Sequence, residues 1–285
     1  MNYPDFSSLN TKLTCKDYTV SEEYFQLKYW DEYDMLVTYA QPKLDELDSY
    51  YESEDYISHT DSKATLVDKI YQSVKRIMLN KKLEIVSSFN QNKGSLLDVG
   101  AGTGDFLNAA KNDGWSISGV EPNSKARSLA NQKKILLVED INQLPTQKYD
   151  VITLWHVLEH VPNLFEYIET LKSLLKENGI LIIAVPNYKS YDATYYKEFW
   201  AAYDVPRHLW HFSSKGIKKL FAQFNFKLEN TLPMTYDAYY VSLLSEKYKN
   251  SSFQKLKALK TGYLSNLKAK HSGEYSSLIY CFKTI

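Results

Sequence analysis

The chemistry-bearing residues of this sequence concentrate in Leu97-Asp98-Val99-Gly100-Ala101-Gly102-Thr103-Gly104-Asp105, where three glycines fall at alternate positions. The chain has only 10 glycines in 285 residues, about half the ordinary ~7% share, so a cluster of them is informative. Glycines at 100, 102 and 104 permit positive φ and close approach of backbone to a ligand, and a helix that follows presents free N–H groups. A nucleotide-like ligand is implied. The spacing G-x-G-x-G departs from the dinucleotide fingerprint G-x-G-x-x-G, and no Lys-Ser/Thr pair follows it as in a phosphate-cradling P-loop. Asp105 at the start of the helix would repel a phosphate and suits a ligand that carries a cation.

Two further acidic positions follow in series. Glu121, in Ser118-Gly119-Val120-Glu121-Pro122-Asn123, stands about 20 residues beyond Gly100, where a strand-end carboxylate can accept both ribose hydroxyl protons. Val138-Glu139-Asp140-Ile141 ends the next apolar run; a side-chain acceptor there can take an adenine amino group while Ile141 packs on the ring. Five histidines, His59, His156, His160, His208 and His211, could move a proton near neutral pH. His156 and His160 would share a face if they open a helix, but the order His156-Val157-Leu158-Glu159-His160 is not the H-E-x-x-H of zinc enzymes, and no metal is expected. Each of these residues also has a structural use. His160 can bond a strand-end carbonyl, Glu159 can order a turn, and Arg207 can pair with a carboxylate in a capping loop whose Trp210 and Phe212 fill core.

The elements that must position these groups follow from periodicity. Apolar residues at Leu66, Ile70, Val74, Ile77, Met78, Leu83 and Ile85 keep mostly helical spacing, so a long amphipathic helix is expected over 62–89, capped by Asp61 or Ser62. After Gly94 short apolar runs alternate with amphipathic stretches. Strands are expected at Ser95–Val99, Ser116–Val120, Ile135–Val138, Tyr149–Leu154 and Ile180–Val185, with helices at Asp105–Asn112, Ser124–Gln132 and Asn163–Lys176, the last closed by Asn178-Gly179. Further on, a helix is expected over Ser213–Phe224, a strand over Phe226–Thr231, a basic helical segment over Asp237–Ser272 and a final strand over Tyr275–Thr284. This alternation predicts an α/β fold with a doubly wound, mostly parallel sheet.

In its motifs the sequence resembles the class I S-adenosylmethionine-dependent methyltransferases. The match runs from Leu96 to about Phe224 through the glycine loop, Val120-Glu121-Pro122, Glu139-Asp140-Ile141, Tyr149-Asp150-Val151-Ile152 and Trp155-His156-Val157-Leu158-Glu159-His160-Val161-Pro162. The last of these is similar to the branch that includes the ubiquinone-pathway O-methyltransferases, and Tyr203-Asp204-Val205-Pro206-Arg207-His208-Leu209-Trp210-His211 is similar to a segment after the fifth strand there. The resemblance implies a Rossmann-like seven-stranded sheet and S-adenosyl-L-methionine as methyl donor, with S-adenosyl-L-homocysteine as product. It implies that Asp98, Gly100, Ala101 and Gly102 line the methionine part, that Glu121 with Pro122 holds the ribose, and that Asp140 and Ile141 hold the adenine. Trp155 and His156 would lie under the sulfonium. His160, His208 and His156 are the candidates for handling the acceptor. Paired N-terminal cysteines that form a zinc ribbon in some relatives are absent, since Cys15 stands alone.

Composition narrows the partners. Lys and Arg number 34 against 34 Asp and Glu, which argues against a nucleic-acid acceptor, as does Trp155-His156-Val157-Leu158 in place of an N-P-P-Y-type clamp. A small-molecule acceptor, methylated on a hydroxyl oxygen, is the leading expectation; carbon or nitrogen acceptors and a non-catalytic relative are the alternatives. The longest purely apolar run, Ile180 to Val185, is far shorter than the ~20 residues of a membrane span, the polar start of the chain has no signal-peptide core, and two cysteines build no disulfide framework. A cytoplasmic protein without integral membrane association is expected, and oligomeric state is not read from the sequence. Residues 1–61 lack strong periodicity and are expected to form an irregular arm, leaving 62–285 as the methyltransferase domain, with cofactor core 93–185. Helical and aromatic insertions at 186–212 and 233–273 are expected to cap the acceptor, and Tyr56 or His59 could close the site. The basic stretch Lys247–Lys270 is read as a solvated helical face, with contact to anionic lipid or a charged substrate as the alternative.

Overall fold

A six-stranded sheet organises the glycine loop. In the computed structural model, which describes residues 3–51 and 66–285, its strands are β4 (Ser95–Val99), β5 (Ser116–Val120), β6 (Tyr149–Trp155), β7 (Leu175–Pro186), β9 (Phe226–Pro233) and β10 (Ser277–Thr284), in the order β5-β4-β6-β7-β10-β9. Strand β4 pairs in parallel with both β5 and β6. Leu96, Leu97, Val151, Ile152 and Leu154 are wholly buried, as are Leu181 to Ala184 of β7. Such unbroken apolar runs are what a strand covered on both faces requires. The connections are α2 (Asp105–Asn112), α3 (Ser124–Gln132) and α4 (Leu164–Leu174), preceded by α1 (Leu66–Phe89). Asn123 caps α3 through a bond from Ala126 N.

The sheet has six strands among the described residues, not the seven expected. Residues 135–138 do not form a strand: only Val138 makes a parallel bridge, to Val120. The segment lies beside β5 at the edge of the sheet, and Leu136 is 81% exposed, so the apolar run that looked like a strand is used for a single register contact. A second departure concerns Asn178-Gly179. The helix ends earlier, at Leu174, and Asn178 adopts a left-handed conformation inside β7 rather than capping.

The expected irregular arm is replaced by regular structure. Strands β1 (Thr11–Lys16), β2 (Tyr24–Trp30) and β3 (Met35–Tyr39) join β8 (Trp210–His211) in an antiparallel sheet ordered β1-β2-β3-β8. Its last strand comes from a segment far away in sequence, so local periodicity could not complete the pattern. The ring of Tyr3 stacks on Phe165 at 4.5 Å and on Trp210 at 5.7 Å. Besides a single helical turn at Leu44–Leu47, the remaining helices are α5 (Tyr191–Tyr196), α6 (Ser214–Gln223, with Ser213 capping Gly216 N), α7 (Asp237–Tyr248) and α8 (Gln254–Ser272). Tyr196, Trp200 and Tyr203, from the aromatic stretch expected over an acceptor, are buried in one core with Phe25, Leu27 and Leu36. The chain divides into two compact units, one of Met1–Ser53, His156–Ile168 and Ala184–Tyr280, the other of Glu54–Trp155, Glu169–Ile183 and Cys281–Ile285. Tyr56, His59 and the expected cap at Asp61 or Ser62 lie outside the described residues.

Candidate functional site

In the unit that carries β4, the glycine loop is built for close approach. Gly100 and Gly102 have φ of 71° and 54°, in the left-handed region that favours glycine, and a Cβ on Gly102 would meet nothing within 4 Å. The amides of Gly100 and Ala101 both donate to the Val120 carbonyl, at 2.8 and 2.9 Å. Glu121 then closes the arrangement: one carboxylate oxygen accepts from Gly102 N at 2.8 Å and the other from Asn123 N at 2.9 Å. The carboxylate proposed for a ribose is thus fixed beside the glycine turn. Exposed Pro122 follows it, and both carbonyls, of Glu121 and Pro122, accept from Arg127, whose other nitrogen pairs with Glu139 at 2.9 Å. Asp140 is exposed and accepts from Asn142 N at 2.8 Å, capping the short turn that begins at Ile141.

Asp98 lies at the end of β4, 2% exposed, accepting a 2.6 Å bond from the Thr153 hydroxyl that faces it in the β4–β6 register. Burial pushes its carboxyl up to about 7, against the stabilising Thr153 bond and the Lys82 charge, with Glu121 adding repulsion. Trp155, at the end of β6, is buried edge-on to Phe106 with Lys82 Nζ 4.5 Å from its ring, and its Nε1 is buried without a hydrogen-bond partner among the described residues. Asp105 does not await a cationic ligand as expected. It pairs with Lys75 and Lys133, each at 2.7 Å, and these lysines outweigh burial and hold it below the usual carboxylate range. The open face above Gly102, the fixed Glu121 and the buried Asp98 fit a nucleoside with a cationic amino-acid tail.

The other unit holds His156, His160 and His208, of which the last two meet. His156 is held in a left-handed conformation (φ 59°) with its amide on the Ala184 carbonyl. Its ring lies between two carboxylates, Nδ1 at 3.2 Å from Glu159 and Nε2 at 3.1 Å from Asp237. Both nitrogens therefore act as donors; burial opposes the charge, but the two partners raise the pKa to about 10. His156 is a fixed cation rather than a base. The ring of His160 stands edge-on to His208, with centroids 4.5 Å apart. His160 Nδ1 donates to the Arg207 carbonyl at 3.1 Å and lies 3.0 Å from the Tyr51 hydroxyl; burial, then His208, lower its pKa to about 4. His208 Nδ1 donates to the Ala202 carbonyl at 2.9 Å, which leaves Nε2 as the acceptor, 3.9 Å from Asp204.

Glu159 is 1% exposed and keeps one oxygen without a partner among the described residues. Its donor atom and those of His160 and His208 lie within 4.8 Å of one another, a spacing that could hold a divalent cation. Arg207 and His211 have structural duties. Arg207 bonds Asp17 at 2.9 Å and Asp204 at 2.7 Å, with Arg207 and Asp17 almost fully buried. His211 is buried against the Thr38 hydroxyl at 3.0 Å and stays neutral, burial lowering its pKa. Asp237 and Thr153 were missed by the sequence reading. Thr153 was reachable through β-pairing, as it sits opposite Asp98; Asp237 stands 81 residues from His156 and carries no local signal.

The family model for the methyltransferase domain matches residues 70–231. The chain belongs to this methyltransferase domain family. The ubiquinone biosynthesis O-methyltransferase of Glaesserella parasuis serovar 5 (strain SH0165) is 33% identical over 106 residues, covering 32% of this chain and 45% of the relative. That of Nitrosomonas europaea (strain ATCC 19718) is 28% identical over 132 residues, covering 42% and 54%. The chain spans about half the length of the curated relatives it matches. Among solved structures, magnesium protoporphyrin IX methyltransferase from Synechocystis PCC 6803 with bound SAH aligns with a TM-score of 0.53 at 17% identity, covering 80% of this chain and 91% of that one. The plantazolicin methyltransferase BpumL gives 0.53 at 16% identity, covering 84% and 94%. At these identities the structures establish the fold that the methyltransferase domain adopts here.

Proposed function

We propose that this methyltransferase domain moves the methyl group of S-adenosyl-L-methionine to a hydroxyl oxygen of a small-molecule acceptor, releasing S-adenosyl-L-homocysteine. The observation that carries this reading is Glu121 fixed on the amide of Gly102 beside an open glycine turn. In that role Glu121 receives the ribose hydroxyls and Asp140 the adenine amino group, with Ile141 against the ring. Asp98 holds the ammonium of the methionine part, and the charge of that ammonium lets its carboxyl ionise despite burial. Trp155 supplies an indole N–H and an aromatic face. When bound, the cofactor contributes an already activated methyl electrophile, so the chain's work is alignment and exclusion of water.

The acceptor proton needs a base, and we assign that role to His208. The Ala202 carbonyl fixes its tautomer, Nε2 is available, and the carboxylate of Asp204 stabilises the imidazolium that forms. His160 packs edge-on against it and is neutral at pH 7. His156, as a fixed cation, orders the turn through Glu159 and Asp237. The names of the relatives support an oxygen acceptor. We divide the chain into an arm, 1–61, and a methyltransferase domain, 62–285, with core 93–185 and acceptor caps at 186–212 and 233–273. The buried free thiols Cys15 and Cys281 fit a reducing, cytoplasmic setting. The test is incubation with methyl-labelled cofactor and a metabolite extract, followed by identification of the product. Label on an oxygen of a small molecule is expected; label on carbon, nitrogen or a macromolecule would overturn the oxygen assignment, and no transfer at all would remove the activity.

A further inference from the structure

The hairpin of α7 and α8 is packed inside out. These helices lie against one another, and their buried positions are mostly small residues: Ala258, Thr261, Gly262, Ser265 and Ala269 on α8, and Ala238, Ser242 and Ser245 beside Val241 and Glu246 on α7. A Cβ on Gly262 would come within 2.7 Å of Tyr239, so the approach depends on glycine. The large apolar side chains point the other way. Leu256, Leu259, Tyr263 and Leu267 recur at helical spacing and are 69%, 59%, 59% and 41% exposed, and Phe253 before them is 80% exposed. On α7, Tyr240 and Leu243 are likewise exposed, at 53% and 39%. Scattered single apolar residues need no explanation, but a continuous stripe along a 19-residue helix does.

The charge on the same helix identifies the occupant. Gln254–Ser272 contains Lys255, Lys257, Lys260, Lys268 and Lys270 and no acidic residue. On a helical projection Lys255 and Lys260 flank the leucine stripe and Lys270 falls within it, so their long stems can run along an apolar layer while the ammonium groups reach an anionic one. Lys268 is used internally, its Nζ 3.7 Å above the Tyr191 ring. A second copy of this chain docked on the stripe would set these lysines against each other, whereas an anionic bilayer surface satisfies them and the leucines together. No helix among the described residues is long and apolar enough to cross a membrane, so the exposed leucines and the lysines beside them can meet a bilayer only at its surface.

We propose that α8 docks the protein on membrane surfaces rich in anionic lipid, with Leu256, Leu259, Tyr263 and Leu267 entering the headgroup–acyl boundary and Lys255, Lys260 and Lys270 on the headgroups. The assignment is independent of the methyl-transfer reading. It is tested by vesicle flotation of the full chain, comparing phosphatidylcholine alone with phosphatidylcholine containing about one third phosphatidylglycerol. Flotation with the anionic vesicles, weakening as salt is raised, is expected. Lys255→Gln with Lys260→Gln should weaken it about fivefold for each charge removed, and Leu256→Glu with Leu259→Glu should abolish it; all four sites are exposed, and unchanged circular dichroism checks folding. Equal behaviour with both vesicle types overturns the proposal. So does binding that survives the Leu→Glu pair, which would mean charge attraction alone, or a wild-type dimer that the same pair converts to monomer, which would mean the stripe is a self-association surface.

Discussion

Asp98→Asn separates binding from stability at one buried atom. The carboxyl is almost fully inaccessible and burial raises its pKa to about 7. A group whose folded value is raised opposes folding increasingly as pH climbs from the unfolded value, about 4, to the folded one. Above both values the cost reaches about 4 kcal/mol at most, at 1.36 kcal/mol per pH unit. An amide has no such cost and can still accept the Thr153 hydroxyl. Urea unfolding of the ligand-free protein should therefore show wild type and variant alike near pH 4, with the variant more stable by a few kcal/mol at pH 8. The same variant should bind S-adenosylhomocysteine more weakly, because the partner proposed for its ammonium has lost its charge; loss of one charge-assisted bond corresponds to about 1.5–3 kcal/mol. A variant less stable than wild type at pH 8, with affinity unchanged, would refute both the burial argument and the role.

Other substitutions test the remaining parts. Glu121→Ala should weaken S-adenosylhomocysteine by about 1.5–3 kcal/mol in calorimetric titration, whereas unchanged affinity would show that the ribose is held elsewhere. His208→Ala should lower kcat by about 10²–10⁴ and leave cofactor Kd in place; parallel losses in both would assign it a structural role. Arg207→Ala leaves Asp17 buried without its cation and should cost about 3–5 kcal/mol in urea unfolding, with a loss below 1 kcal/mol contradicting the buried pair. The charge on His156 stabilises the fold fully below about 6.5 and is lost as pH rises through about 10, so wild type should lose its stability advantage over His156→Gln across that window. Turnover should survive exhaustive chelation; a loss restored by added Zn²⁺ would instead assign Glu159, His160 and His208 to a cation.

The part of the chain around the glycine turn was written locally. The strands Ser95–Val99 and Ser116–Val120 and the helices Asp105–Asn112 and Ser124–Gln132 form where periodicity and caps place them, because each is bounded by turn residues and buries its own face. What escaped depends on distant pairing. The β1–β3 sheet needs Trp210–His211 as its fourth strand, Ile135–Val138 has room for only one bridge at an edge, and His156 is charged because Asp237 reaches it from 81 residues away. Asp105 looked free to meet a cation because the lysines that neutralise it, Lys75 and Lys133, come from two other helical segments. Glycine spacing and strand-end carboxylates are local signals from which a ligand class can be expected, while protonation states are set by partners that no motif contains.

A crystal structure of the chain with S-adenosylhomocysteine tests the central claim most directly. It should show the nucleoside over Gly102 with its ribose hydroxyls on Glu121, its adenine beside Asp140 and Ile141, and its ammonium near Asp98. The nucleoside bound away from the glycine turn, or that turn filled by the chain's own side chains, would contradict it.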